Sequence, residues 1–353
     1  MGLFLLIVRL REGHHAAPIT LRLLLTTSRL PCYVSARAPS RGLIQMPKYK
    51  YSLVACARWE ADDIVEWIEY HRHIGFEHFY IYSNDDSPDV LFKTLLPYIL
   101  GDDPIVTFTH WSKIGEQSEM YANFLGRHKT ETQWAMFLDI DEFVTLRKHD
   151  TIMEFIDTFD ATVDCIYFNW LNFGNNHKIH RDKKSILGTL TRRSVHIDPH
   201  TKTIFKTKKV TEALAREGAA NTGYTYTHFW NDYPFGNFVI RDVLNRSVEN
   251  YAKDFPDTAY RMIQDQNISN LMIETAHISH FVIKSEDDFI RRAERGGFVA
   301  QEIWRQKYIS GEYKEMLARF NEIEDNYLSN IWHNMTLNRL AHGSRQVSTS
   351  ALV

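Results

Sequence analysis

Three carboxylates close one apolar run. Trp134-Ala135-Met136-Phe137-Leu138 leads directly into Asp139-Ile140-Asp141-Glu142. Five apolar residues ending abruptly in acid read as a strand buried on both faces. Open α/β sheets bind ligands beyond the carboxyl ends of their strands, which is where these acids fall. On a regular strand Asp139 and Asp141 are two apart and project from one face. Two hard oxygen donors on one face suit Mn2+ or Mg2+ already carrying phosphate oxygens. An acid at a strand mouth that serves only to hold metal is expected to make few packing contacts.

The same letters occur in other settings. Asp-x-Asp is common in acidic loops, and an apolar strand ending in Asp-Glu also resembles a Walker B segment. The chain contains no G-x-x-x-x-G-K-[ST] to accompany one. A haloacid-type phosphatase wants Thr or Val after the second Asp and one residue more, whereas Glu142 and Phe143 follow here. The metal reading therefore depends on the elements around it.

Those elements are regular from Tyr49 onward. Tyr51–Ala57 reads as a strand, and Ile64, Trp67, Ile68 and His71 recur at helical spacing up to a Gly75 cap. Phe79–Tyr82 is a second strand, followed by a helix opening at Ser87-Pro88 and running to about Ile99. Ile105–Phe108, a helix through Met120, Phe124, Leu125 and His128, and then the acidic strand complete a β-α-β-α-β-α-β run. Units of this length predict a parallel, helix-covered sheet. No G-x-G-x-x-G follows the first strand, so this is not a dinucleotide site. Right-handed crossovers bring the polar loops after the first, second and fourth strands to one edge. Beyond Asp150 the pattern predicts a helix through Ile152, Phe155 and Phe159 and a strand over Cys165–Trp170. A basic hairpin region follows over 180–210, and further on a helix is capped by Ser285. Histidine punctuates two short apolar segments, Thr227–Trp230 and Ala276–Phe281.

Composition narrows the class. The 353 residues are 44% hydrophobic and 24% charged, which supports a substantial core. A net charge of −3 argues against a dedicated nucleic-acid binder. Three scattered cysteines, Cys32, Cys56 and Cys165, form neither a metal spacing nor a disulfide framework. A reducing, cytoplasmic setting is expected, with the inner face of a membrane compatible. The apolar run at Gly2–Val8 is far short of the ~20 residues a spanning helix needs. Expected boundaries are a non-core segment over 1–46, a main domain over 47–298, a helical extension over 299–342 and a disordered tail over 343–353.

Four motifs in order carry a resemblance. Arg58-Trp59-Glu60-Ala61 with Glu66-Trp67-Ile68-Glu69-Tyr70-His71 resembles a K-N-E-x-x-x-x-x-E-W-x-x-Y-H opening. Ile81–Ser87 resembles a Y-D-N-x-S-x-D loop, and Phe137–Phe143 an F-L-D-I-D-E-F strand end. His280–Ser285, Phe289 and Arg295-Gly296 resemble an H-Y-x-x-K-S-x-x-x-F…R-G close. Together they are similar to the GT-A glycosyltransferases of the family 2-like and family 92-like group, over about Tyr49 to Phe298. The chain departs from the pattern at Arg58-Trp59, where Lys-Asn is usual, and at Ser83, where Asp is usual.

The resemblance implies an α/β GT-A fold with a mostly parallel, Rossmann-like sheet and helices on both faces. It also implies metal-dependent transfer of a sugar from a nucleotide-diphosphate donor, with a UDP-sugar favoured. The acceptor is a glycan, polysaccharide or lipid-linked sugar, and the outcome is inverting. Under it Asp141, Asp139 and His280 are metal ligands, and Glu60, Asn84, Asp85, Asp139 and Lys284 bind the donor, with Lys284 meeting phosphate. His177, Asp182 and Asp198 stand as unranked candidates for the acceptor's base. Two rivals remain: a nucleotidyltransferase, and a sugar-binding protein of the same fold without turnover.

Overall fold

The computed structural model describes residues 46–181, 185–210, 238–248, 251, 255–295 and 299–350. Residues 1–45, Asp182 and the Thr227–Trp230 segment lie outside the described residues. The described part of Met46–Val353 is one compact unit. No helix among the described residues is long and apolar enough to cross a membrane.

The first half follows the pattern of the sequence. β1 (Tyr49–Ala57), β2 (His78–Ser83), β3 (Val106–His110) and β4 (Thr132–Phe137) alternate with α1 (Ile64–His73), α2 (Asp89–Ile99) and α3 (Gln117–Arg127). β1 pairs in parallel with β2 and β4, and β2 with β3. The residues of β1, β2 and β4 are mostly buried, which is why these strands read as apolar runs, whereas β3 at the sheet edge is largely half-buried and alternates Val-Thr-Phe-Thr. Gly75, at φ 99°, supplies the left-handed residue that ends α1.

The second half departs from it. The expected hairpin region folds as α5 (Ile186–Thr189), β7 (Arg192–Arg193) and β8 (Thr201–Lys206), after α4 (Ile152–Ile156) and β6 (Cys165–Asn172). β8 does not pair within its own segment. It inserts antiparallel between β4 and β6, so both of its edges are hydrogen-bonded and Lys202 is carried inside. With β9 (Ile240–Asp242), β10 (Ala276–His280) and β5 (Glu142–Leu146), the order is β3-β2-β1-β4-β8-β6-β10-β5, and β9 lies beside β6. The sheet is mixed and mostly parallel.

β5 is a strand the sequence analysis does not anticipate, and the Glu-Trp-x-x-Tyr-His residues of α1 hold it. Trp67 Nε1 donates to Glu142 O at 2.9 Å and Tyr70 Oη to Val144 O at 2.9 Å. The Val144 N–H donates to His71 Nε2 at 3.1 Å, while His71 Nδ1 meets Trp67 O at 2.8 Å. Glu66 accepts from Ile186 N at 2.8 Å and Leu187 N at 2.9 Å, capping α5. This motif is structural: it fixes the strand that begins immediately after Asp141.

His71 is fully buried, and burial pulls its pKa down to about 3. A base whose folded pKa lies below its unfolded value takes up its proton preferentially in the unfolded chain. Its contribution to stability is complete above pH ~6.5 and is lost as pH falls toward 3. At pH 5 that loss is about 2 kcal/mol for one such group. Glu142, pushed up to about 8 mainly by burial, titrates in the opposite sense. The informative quantity is therefore the difference between wild type and His71→Gln. We expect denaturant midpoints of the wild type to fall more steeply between pH 7 and 5 than those of the variant. Parallel profiles would contradict a neutral buried His71.

α6 (Asp257–Ile263) and α7 (Gln266–Thr275) lead into β10, and α8 (Glu286–Glu294), α9 (Val299–Ser310), α10 (Glu312–Phe320), β11 (Ile323–Glu324) and α11 (Tyr327–Ser350) complete the described chain. The helices of the expected extension are built into the domain. β11 pairs with β7, Asp325 accepts from Arg193 Nε at 2.7 Å and also pairs with Arg147, and Tyr327 bonds Leu146 O. Gly174 passes so close to Asn321 that a Cβ there would lie 2.7 Å from Phe320 O. Where a Ser-rich tail is expected after Gly343, α11 continues through Ser350.

Candidate active site

β4 stops at Phe137, so Asp139 and Asp141 do not project from one strand face as the sequence analysis expects. They sit in the turn that carries the chain from β4 to β5 at the opposite edge of the sheet. Glu142 closes that turn: its N–H donates to Asp139 O at 3.1 Å, and its Oε2 accepts from Asp139 N at 2.9 Å. Phe281 N donates to Asp141 O at 2.8 Å, which fixes Asp141 against the end of β10.

The two acids consequently have different surroundings. Asp139 accepts from Gln117 Nε2 at 2.9 Å and from Lys202 Nζ at 2.9 Å. Lys202 also reaches Glu142 Oε2 at 3.1 Å. Burial would discharge this lysine, but Asp139 and then Glu142 hold it protonated. Asp141 is buried, with Arg292 Nη1 at 2.5 Å from its Oδ2 and His280 Nε2 at 3.9 Å from the same oxygen. Burial alone would raise the Asp141 pKa, but Arg292, with lesser help from His280 and Lys284, holds it well below the usual carboxylate range. His280 is the reverse case. Burial lowers its pKa to about 4, so it is a neutral imidazole at pH 7.

Asp139 and Asp141 line a cavity of about 260 Å³ together with Arg58, Glu60, Asn84, Gln117, Arg292, Arg295 and Trp304. The expected donor residues divide on this geometry. Glu60 and Asn84 are on the wall, although Asn84 also braces the next loop by donating to Trp111 O and Lys113 O, both at 2.7 Å. Asp85 does not line the cavity. Its Oδ1 accepts from Trp59 N at 2.7 Å, securing a non-glycine residue at φ 58°. Lys284 does not line it either. Its Nζ sits 2.5 Å from Asp63 Oδ2 and 3.3 Å from Glu60 Oε2, and Asp63 is also bridged by Arg181 at 2.5 Å. The cations on the cavity wall are Arg58, Arg292 and Arg295, of which Arg292 lies outside the four sequence motifs.

Of the base candidates, His177 is exposed on the loop after β6 and lines neither cavity nor acids. Asp198 is tied to the site. Its Oδ2 accepts from Asn172 Nδ2 at 3.0 Å, and Asn172 is the register partner of His280. Its Oδ1 faces His200 Nδ1 at 2.7 Å; His200 stacks on Trp170 at 4.8 Å, and Trp170 lies 4.3 Å from His280.

The donor set fits a divalent ion that brings ligands with it. Asp141 Oδ2 and the neutral His280 share one place, and His280 Nδ1 is buried without a partner among the described residues. No group of three or more His, Cys, Asp and Glu that could hold a metal occurs among the described residues. Two protein donors suit Mn2+ or Mg2+ that keeps phosphate and water oxygens for the rest of its shell.

Comparison with known proteins bears on the family of the chain. A glycosyltransferase family 92 protein of Ricinus communis is 30% identical over 102 residues, which cover 28% of this chain and 17% of that protein. The match thus spans about a sixth of that relative's length. Among solved structures, Staphylococcus aureus TarS 1–349 in complex with UDP-GlcNAc is 12% identical, covers 62% of this chain and 66% of that one, and has a TM-score of 0.33. A 4-diphosphocytidyl-2C-methyl-D-erythritol synthase from Anaerococcus prevotii is likewise 12% identical, with 62% and 97% coverage and a TM-score of 0.31. Neither structural likeness decides the reaction. The sequence itself does more: residues 54–285 match the model of glycosyltransferase family 92, and the chain belongs to that family.

Proposed function

We propose that the protein transfers a sugar from a nucleotide-diphosphate donor, a UDP-sugar before others, to a hydroxyl of a glycan or lipid-linked acceptor. One observation carries this: Asp141, on the wall of a cavity that three arginines also line, has the neutral His280 behind it, Nε2 3.9 Å from its Oδ2. Sugar transfer leaves negative charge on the departing diphosphate, and preorganised cations at that place stabilise the transition state. A bound Mn2+ or Mg2+ would supply Lewis-acid stabilisation of that charge. Asp141 and His280 are the residues that would hold it. Arg58 and Arg295 are fixed before substrate arrives, Arg58 Nε donating to Arg295 O at 2.7 Å and Arg295 pairing with Glu60. Asp139 is oriented by Gln117 and Lys202 and faces the same cavity, a position suited to a donor hydroxyl.

An inverting transfer also needs the acceptor proton removed. Asp198 with His200 is the pair we assign to this role, since Asp198 bonds Asn172, the register partner of His280. The test is a panel of UDP- and GDP-sugars with the purified protein, measuring donor hydrolysis and transfer with Mn2+ and with chelator. Nucleotide release that requires the divalent ion is the expected result. Activity indifferent to chelator, or none with any nucleotide sugar, would contradict the reading.

A further inference from the structure

Arg292 occupies the one oxygen that a metal shared with His280 would need. Its Nη1 lies 2.5 Å from Asp141 Oδ2, and that same Oδ2 is the atom 3.9 Å from His280 Nε2. A guanidinium and a divalent cation compete for that atom, because each would add positive charge beside the other with one carboxylate between them. Arg292 is also placed to move. It stands in the last turn of α8, its side chain 24% exposed, with the guanidinium 5.0 Å over the ring of Trp304. Trp304 and Arg292 both face the cavity. A flat apolar face beside a cation offers a surface along which it can turn while staying favourably placed.

We propose that Arg292 is an exchangeable placeholder: it neutralises Asp141 before metal arrives, and on metal binding it leaves Asp141 and pairs with the diphosphate of the donor. The proposal rests on the donor-site reading above and adds a coupling to it. Metal entering alone strips Arg292 of its anion and is disfavoured. Metal entering with a diphosphate gives the guanidinium a new anion, one whose geometry its fork matches. Metal and nucleotide therefore bind with positive coupling through one residue, and the coupling is reciprocal.

The consequence is a substitution with two effects of opposite sign. Mn2+ binding is read without nucleotide from the free-ion electron paramagnetic resonance signal, and UDP binding in the presence of Mn2+ by calorimetry. Arg292→Gln should bind Mn2+ alone about tenfold more tightly than wild type, and UDP with Mn2+ about tenfold more weakly. Arg292→Lys keeps a cation on the same helix, so its Mn2+ affinity should stay near that of wild type. Melting curves for both variants check that the fold is retained. If Arg292→Gln binds Mn2+ alone no better than wild type, or if it loses no UDP affinity, the exchange is wrong while the donor site stands. A wild type that takes up neither Mn2+ nor UDP would remove the donor-site reading itself, and the exchange with it.

Discussion

Asp141→Asn should abolish turnover and also lower stability. Transfer from a nucleotide sugar is expected to fall by roughly a thousandfold or more, because the leaving diphosphate loses its principal stabilisation in the transition state. A carboxylate at a strand mouth with few contacts would melt unchanged on this substitution, which is what the sequence suggests. The structure corrects that: Asp141 is buried and holds Arg292 by a charge-assisted hydrogen bond. An amide cannot neutralise the guanidinium, and the partly exposed Arg292 limits the loss to about 1–3 kcal/mol. Adding Arg292→Gln to Asp141→Asn should recover most of the melting temperature and none of the activity, since the two residues share one interaction. Full turnover in Asp141→Asn, or additive stability losses in the pair, would contradict this account of Asp141.

Lys284→Met should instead be a stability variant. Lys284 is buried between Asp63 and Glu60, and Asp63 is itself almost inaccessible. Removing one partner of a buried ion pair costs about 3–5 kcal/mol, because the remaining charge is left without compensation. A drop in melting temperature on the order of ten degrees is expected. Arg181, bidentate on Asp63, prevents the loss from being larger. Lys284 as a phosphate partner, the role drawn from the motif, predicts a different outcome: an intact fold with selective loss of nucleotide diphosphate over nucleoside binding. Melting curves beside UDP and uridine titrations separate the two, and a variant that melts like wild type but loses UDP alone would restore the phosphate role.

How much could be read before the fold was known depends on what each signal reports. The four strands and three helices of the first half were legible because buried parallel strands are mainly apolar and their helices carry a 3.6-residue period. The four motifs point to the GT-A class and to the acids, though sequence spacing places these on a strand face rather than in a turn. The Ser285 cap was legible too, its Oγ accepting from Asp288 N at 3.1 Å. β5 was not legible, because it opens on Glu142 and runs only five residues, and its cause lies in Trp67, Tyr70 and His71 some 75 positions earlier. Lys202 was hidden for a related reason. In a run with Lys206, Lys208 and Lys209 it reads as a solvated basic face, and only insertion of β8 between β4 and β6 makes it the counter-ion of Asp139. Arg292 sits in a charge-rich helix, Glu286-Asp287-Asp288-Phe289-Ile290-Arg291-Arg292, where charges usually face water. The placement of Phe289 under Trp304 turns that helix so that Arg292 meets Asp141. Asp85 and Lys284 show the converse. Their types suit ligand binding, but each is engaged by a neighbour that sequence spacing does not reveal.

The central claim is that Asp141 and His280 hold a divalent ion against a diphosphate lying on the arginine side of the cavity. Crystals soaked with Mn2+ and UDP, with diffraction recorded at the manganese absorption edge, test it directly. The account predicts an anomalous peak bonded to both Asp141 and His280, with Arg292 turned from Asp141 onto the diphosphate. Manganese absent from Asp141, or a diphosphate seated on Lys284 with the Arg292–Asp141 pair intact, would contradict it.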